Sequence, residues 1–175
     1  DNTSVLPFAA ASGNLAAFTG TNTGTAPIVS TISVTGSVVG GCSSPAPMVF
    51  TITVNPKPTM VQPGNVTFNN GSPSTPINFT TNNTGGTTTY AWTNNNTAIG
   101  LGASGSGATI PSFTPTNTGT APITATITVT PTYTSGGVSA NGTPVTFTIT
   151  VNPTAQVNAV ANQVLSNGQS TTAVT

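Results

Sequence analysis

Little in this sequence can move a proton or hold a metal. Its 175 residues include one Lys or Arg, one Asp or Glu, one Cys and no His. The carboxylate is Asp1 and the cation is Lys57. General acid–base work needs titratable side chains within hydrogen-bond reach of the reacting group. A Ser-His-Asp or Cys-His constellation needs a histidine. A calcium cage needs several carboxylate oxygens, and a zinc site needs clustered Cys and His. None of these can be assembled from the residues present. The composition points away from an enzyme and from any cofactor or metal. Without a basic patch it also points away from nucleic acid and anionic lipid.

Several motifs imitate chemistry. Gly100-Leu-Gly-Ala-Ser-Gly105 has the G-x-G-x-x-G spacing of a dinucleotide loop. That reading needs a strand before it, a helix after it and an acidic residue about 20 positions on. Ser106-Gly-Ala-Thr-Ile-Pro111 is not a helix start, so the stretch reads as a loop. Cys42 stands alone in a glycine-bearing loop with nothing basic nearby in sequence to lower its pKa. It reads as the orphan of a lost disulfide or as half of an intermolecular bridge. An intramolecular Lys–Asn isopeptide bond would need a lysine in every repeat, and Lys57 is the only one.

Asn-x-Ser/Thr sequons occur at Asn2, Asn65, Asn70, Asn78, Asn82, Asn95 and Asn141. Asn65, Asn78, Asn82 and Asn141 are the candidates for glycan attachment, against a plain turn and strand-surface role. Tyr90 and Trp92 could stack on a sugar if exposed; on a mid-sandwich strand they are expected to fill the core. Threonine rows at 124, 126, 128 and 130 and at 146, 148 and 150 could present a flat hydroxyl array to ice or crystalline sugar. Threonine also simply suits a solvated strand face.

The elements that carry these residues repeat. Thr21-Asn-Thr-Gly-Thr-Ala-Pro-Ile28 recurs as Thr116-Asn-Thr-Gly-Thr-Ala-Pro-Ile123, and Phe50-Thr-Ile-Thr-Val-Asn-Pro56 recurs as Phe147-Thr-Ile-Thr-Val-Asn-Pro153. Upstream, Asn2-Thr-Ser-Val5 answers Asn96-Thr-Ala-Ile99, and Phe18-Thr19 answers Phe113-Thr114. The period of roughly 95–97 residues is the size of one sandwich domain. Residues 1–56 then match the later part of a repeat, residues 57–153 make one complete repeat, and residues 154–175 match the start of a third. In that last piece Asn162-Gln-Val-Leu-Ser-Asn-Gly168 resembles Gly64-Asn-Val-Thr-Phe-Asn-Asn-Gly71.

Alternation with period two marks the strands. Ile28, Ser30, Ile32 and Val34 form one inward face; Met48, Phe50, Ile52 and Val54 form the next. Leu6, Phe8, Leu15 and Phe18 are expected to be buried in the first unit. In the complete repeat, residues 60–68 should hold an edge strand interrupted by Pro63-Gly64. Asn70-Gly71 signals a turn. Ile77, Phe79 and Thr81 give a second strand and residues 87–93 a third. Ile99 and Leu101 suggest a short strand, followed by a glycine loop, Ile110 and Phe113. Ile123, Ala125, Ile127 and Val129 face inward. Residues 135–144 read as a hairpin loop, and Val145, Phe147, Ile149 and Val151 as the last inward face. Trp92, Tyr90, Ile123, Ile127, Val129, Phe147 and Ile149 are the expected core. About seven strands in under 100 residues predict an all-β chain of tandem immunoglobulin-like β-sandwich domains. The short, proline-bearing joint Asn152-Pro-Thr-Ala155 predicts a semi-rigid rod.

The chain resembles the tandem PKD-like, immunoglobulin-like repeats of very large Bacteroidota surface proteins, including gliding and adhesion proteins exported by type IX secretion. The resemblance rests on Tyr90-Ala-Trp-Thr-Asn-Asn-Asn-Thr97, on residues 116–130 and on Thr143-Pro-Val-Thr-Phe-Thr-Ile-Thr-Val-Asn-Pro153, and it extends over essentially the whole chain. It implies a β-sandwich rod at the cell surface and no catalytic residue. It also implies a cysteine in the loop around Ser139-Ala-Asn141 and another near Ser166 that could pair. Those places hold other residues here, and Cys42 stands at about the equivalent loop of the first unit.

These readings converge on an extracellular or cell-surface structural repeat that builds a rod, stalk or adhesive filament. Its partners would be neighbouring repeats and other copies of itself, with glycans or external surfaces as an alternative. No apolar run is long enough to cross a bilayer. The two end pieces together lack a match to residues 80–93, which favours a stretch of a longer continuous chain over subunits that complete one another's domains.

Overall fold

The computed structural model describes residues 12–43 and 46–173. Asn2, Leu6 and Phe8 lie outside the described residues. Ten strands follow one another: β1 (Ile28–Val34), β2 (Met48–Val54), β3 (Val66–Asn69), β4 (Ile77–Asn78), β5 (Thr87–Asn94), β6 (Ser104–Ser106), β7 (Thr109–Ile110), β8 (Ile123–Ser135), β9 (Val138–Asn141) and β10 (Val145–Asn152). The described residues contain no α-helix and a single 3-10 turn at Thr97–Ile99. The chain is all-β, as its Thr- and Val-rich alternation dictates.

Residues 57–153 fold into a β-sandwich. One sheet runs β3-β10-β8-β5-β6, with β9 also on β8; the facing layer is the pair β4-β7. Strands β5, β8 and β10 are neighbours in the first layer, opposite β4-β7. Between the layers lie Ile77, Phe79 and Ile110 from one side and Ala125, Ile127, Val129, Phe147, Ile149 and Val151 from the other, with Tyr90, Trp92, Ile99 and Leu101. Phe79 packs at 5.5 Å from Tyr90 and 6.5 Å from Phe147 between ring centroids. Ile123 is partly buried and packs against this cluster.

Strand β8 explains how one sheet holds so many neighbours. Its Ile123–Val129 half pairs with β10, and Thr132–Ser135 pairs with β9 on the same edge. Pro131 sits where the partner changes, so its missing N–H interrupts no ladder, while its carbonyl accepts from Gly142 N at 2.8 Å. The expected loop at residues 135–144 is instead a tight hairpin. Gly136 and Gly137, at φ 58° and 76°, form the turn, because only a primed turn matches the twist of the flanking strands. The strand expected at Ile99 and Leu101 is also corrected. Asn96 caps the 3-10 turn by accepting from Ala98 N, and Gly100 ends it in the left-handed region at φ 87°. Both apolar side chains still point into the core. Residues 154–173 carry no strand.

The first hairpin copies the second bond for bond. Ile28 lies opposite Val54 and Ile32 opposite Phe50, as Ile123 lies opposite Val151 and Ile127 opposite Phe147. Asn22 Nδ2 donates to Ala26 O and Val54 O at 2.9 and 2.8 Å, and its Oδ1 accepts from Gly24 N. Asn117 makes the same three bonds, to Ala121 O, Val151 O and Gly119 N. Burial matches at Ile28 and Ser30, which are half-buried and buried like Ile123 and Ala125, and differs further along the hairpin. Phe50 is 40% exposed where Phe147 is 2%, and Val34 is 49% exposed where Val129 is fully buried. Met48, expected to face a core, is also exposed, as is Leu15. The reason is the missing second layer: nothing described here stands over β1-β2 as β4-β7 stands over β8-β10.

Candidate functional surfaces

Several parts of the molecule could carry function. Among the described residues no three His, Cys, Asp or Glu side chains gather in a group that could hold a metal ion. Lys57 and Cys42 are both exposed and lie in different parts of the chain.

The aromatic pair faces inward. Tyr90 and Trp92 point to the same side of β5 and are buried in the sandwich. Burial raises the Tyr90 phenol above the ordinary 10.0 by desolvating its charged form. The indole rests on β6, where Trp92 lies opposite Gly105. A Cβ on Gly105 would stand 2.4 Å from Trp92 Cζ2. The glycine-rich run is therefore a packing surface: Gly105 makes room for the indole and Gly100 closes the 3-10 turn. Spacing alone gave no sign of this, because the contact joins residues on different strands. No exposed aromatic platform for sugar exists at these two residues.

The outer face of the same sheet is a field of hydroxyls. Thr124, Thr126, Thr128 and Thr130 alternate with the buried side chains of β8, and Thr146, Thr148 and Thr150 do so on β10. The two rows stand in register, Thr128 opposite Thr146, Thr126 opposite Thr148 and Thr124 opposite Thr150. The Thr124 and Thr150 hydroxyls lie 3.0 Å apart, so part of the array bonds to itself. Asn65 Oδ1 accepts from Thr148 N at 2.9 Å and Asn95 Oδ1 from Thr126 N at 2.7 Å.

The asparagines singled out for glycans are all at the surface: Asn65, Asn78, Asn82 and Asn141 are exposed. Asn78 Oδ1 accepts from the Thr109 hydroxyl and Asn141 Oδ1 from the Thr132 hydroxyl. Both bonds knit neighbouring strands, which is the turn-and-strand role of these residues.

The third region is the joint between the first hairpin and the sandwich. Asn55 Nδ2 donates to Ser135 O at 3.0 Å. Thr84 N donates to Thr25 O, and the Tyr133 hydroxyl donates to Thr84 O, both at 2.8 Å. Ser135 Oγ donates to Gly85 O, and Gly85, at φ 74°, lies so close under Pro27 that a Cβ would be 2.7 Å from Pro27 Cδ. The connecting peptide is gripped as well. Pro56 and Pro58 are buried, Asn83 Nδ2 donates to Lys57 O, and Asn83 Oδ1 accepts from Thr59 N at 2.7 Å. Sequence reading flagged the proline-bearing joints but not these grips, which pair residues up to 80 positions apart.

The fourth is the open side of β1-β2, where Val34, Met48 and Phe50 are exposed together. Burying such side chains is worth about 1.5–3 kcal/mol each, so this face gains stability from whatever covers it. No family model matches the chain, and no curated protein matches it either. No helix among the described residues is long and apolar enough to cross a membrane.

Proposed function

We propose that this chain is a non-enzymatic structural repeat of the extracellular or cell-surface kind, extending a rod, stalk or filament of an adhesin. The joint is the single observation that carries the reading. A linker that merely tethered two folded units would be exposed and free of bonds to either. Here two buried prolines and donors from Asn55 and Thr84 tie the first hairpin to the end of the sandwich, where Tyr133 and Ser135 hold the Thr84-Gly85 turn from within. Such a joint transmits orientation from one unit to the next, which a reach-and-attachment device needs. The composition supports the reading: with one cation and one carboxylate in 175 residues, neighbouring units do not repel. Small-angle scattering tests it. An extended particle with a radius of gyration well above the ~16 Å of a compact chain of this length is expected. A compact particle, or beads moving independently, would sink the proposal.

A glycan- or surface-binding module is the second reading, favoured by the registered threonine rows of β8 and β10. Co-sedimentation with insoluble polysaccharide, abolished by Thr126→Val with Thr148→Val, would support it. An ice-binding role is the less favoured variant and requires thermal hysteresis.

A further inference from the structure

We propose that the middle of the outer face of the large sheet binds a single chain of an uncharged polysaccharide, laid across the strands. The threonine rows of β8 and β10 extend sideways through the observed pairings. Ser104 lies opposite Thr93, Thr93 opposite Thr128 and Thr128 opposite Thr146. Hydroxyls from β6, β5, β8 and β10 therefore stand in one line, about 14 Å long at a strand spacing of about 4.8 Å. In the next line Thr126 lies opposite Thr148, and an asparagine closes each end. Asn95 Oδ1 accepts from Thr126 N while Asn95 N donates to Thr126 O, and Asn65 Oδ1 accepts from Thr148 N. Each amide is held by its oxygen, which leaves its N–H donors for something outside the chain.

The hydroxyls of this face are of two kinds. Towards the two ends of β8 they are already used within the sheet: Thr124 bonds Thr150, Thr134 bonds Ser139 and Thr132 donates to Asn141, at 3.0, 2.8 and 2.8 Å. In the middle, the hydroxyls of Thr93, Thr126, Thr128, Thr130, Thr146 and Thr148 bond to no described residue. Each can donate one hydrogen bond and accept others, the same capacity as a sugar hydroxyl. These side chains are β-branched and stiff at χ1, so little rotamer freedom is lost when they are engaged.

Charge and shape select the occupant. A protein partner needs a desolvated apolar or aromatic anchor near the centre of the contact. Ala91, opposite Thr130, is the only apolar residue among the outward side chains of β5, β8 and β10. Nucleic acid and acidic polymers need cations, and the single Lys57 lies at the joint. A crystal plane, of ice or of packed sugar chains, is flat, whereas neighbouring strands are rotated by about 20–25°. Away from any one line the sheet turns out of such a plane. A single polymer chain that follows one line meets every hydroxyl in it.

The inference deepens the glycan-binding reading and rests on it. Isothermal titration of the full chain with hydroxyethylcellulose, laminarin, galactomannan and xylan tests it, with carboxymethylcellulose as the charged counterpart of the first. Binding to at least one neutral polymer is expected, with carboxymethylcellulose at least about tenfold weaker because its carboxylates find no cation. Thr128→Val with Thr146→Val keeps shape and β-branching but removes two hydroxyls from the line. It should weaken binding by about tenfold. Thr124→Val with Thr150→Val removes hydroxyls that bond each other and should change binding by less than about twofold. An unchanged thermal transition verifies that each variant folds, and Ser104→Ala at the sheet edge gives the same reading, a severalfold loss, should the central pair unfold. No binding to any neutral polymer, soluble or insoluble, would overturn the inference together with the glycan-binding reading. Retention on insoluble polysaccharide without binding to a soluble chain would overturn this site alone and leave that reading standing. So would binding indifferent to the central substitutions, binding lost equally in the Thr124 and Thr150 variant, or equal binding of carboxymethylcellulose.

Discussion

Gly105 lies flat against the indole of Trp92, so close that a Cβ there would be 2.4 Å from Cζ2 and 2.6 Å from Cε2. The ring cannot retreat, because it is buried in the core with Tyr90 and Ile99. Gly105→Ala should therefore destabilise the sandwich by about 1–3 kcal/mol through overpacking. The midpoint of urea unfolding reads this directly. An alanine tolerated without loss would mean that the indole does not rest on β6.

Trp92 is the only tryptophan, so its emission reports one site. Its burial predicts blue-shifted fluorescence in the native chain, weak quenching by acrylamide and no response to added oligosaccharide. Saccharide-dependent emission would revive an aromatic sugar platform.

Asn117 is expected to be the costliest asparagine to lose. It bonds two carbonyls and one amide while almost fully buried. Asn117→Ala should cost about 1–3 kcal/mol, since the Val151 carbonyl is left without its donor in the interior. Asn22→Ala removes the same three bonds at a partly exposed site. Its effect should be a local rise in amide exchange along β1-β2, with the main unfolding transition little moved.

Stability should be nearly flat from about pH 5 to 8, where a chain without His and with a single carboxylate has little to titrate. At high pH it should fall. Burial raises the Tyr90 phenol above 10.0, so the unfolded chain ionises first and binds fewer protons than the native one. The contribution of this group is complete below about pH 10 and is lost as pH rises through the folded-state value. Tyr90→Phe should soften the alkaline drop. Thermal unfolding of both proteins across pH 8 to 11.5 checks the sign.

Strand positions were legible wherever the pattern was local. Period-two alternation located β8 and β10 and chose their buried faces, since Ala125, Ile127, Phe147 and Ile149 cannot all turn outward without exposing the core. The same pattern in β1 and β2 misled, because alternation records which face is apolar and not whether a second layer exists to cover it. Ile99 and Leu101 looked like strand because they alternate, yet the Asn96 cap and Gly100 impose a tighter turn. Residues 135–144 read as a hairpin loop, and the Gly136-Gly137 pair was readable in principle as the primed turn that tightens it. The grips at the joint were invisible, because Asn55 with Ser135 and Thr25 with Thr84 are pairings that only the folded chain brings together.

The parallel contact of β3 with β10 has a mechanical meaning. The first and last strands of the sandwich are neighbours and point the same way. A pull applied through residues 56 and 153 drags them past each other along their length. The ladder between them, with the Asn70–Asn152 and Asn65–Thr148 bonds beside it, is then loaded in shear and must fail together rather than open one bond at a time. A unit built this way resists tension far better than its net folding free energy suggests. In single-molecule pulling it should unfold at a high, sharply defined force, which Val66→Pro, by removing a donor from the ladder, should lower.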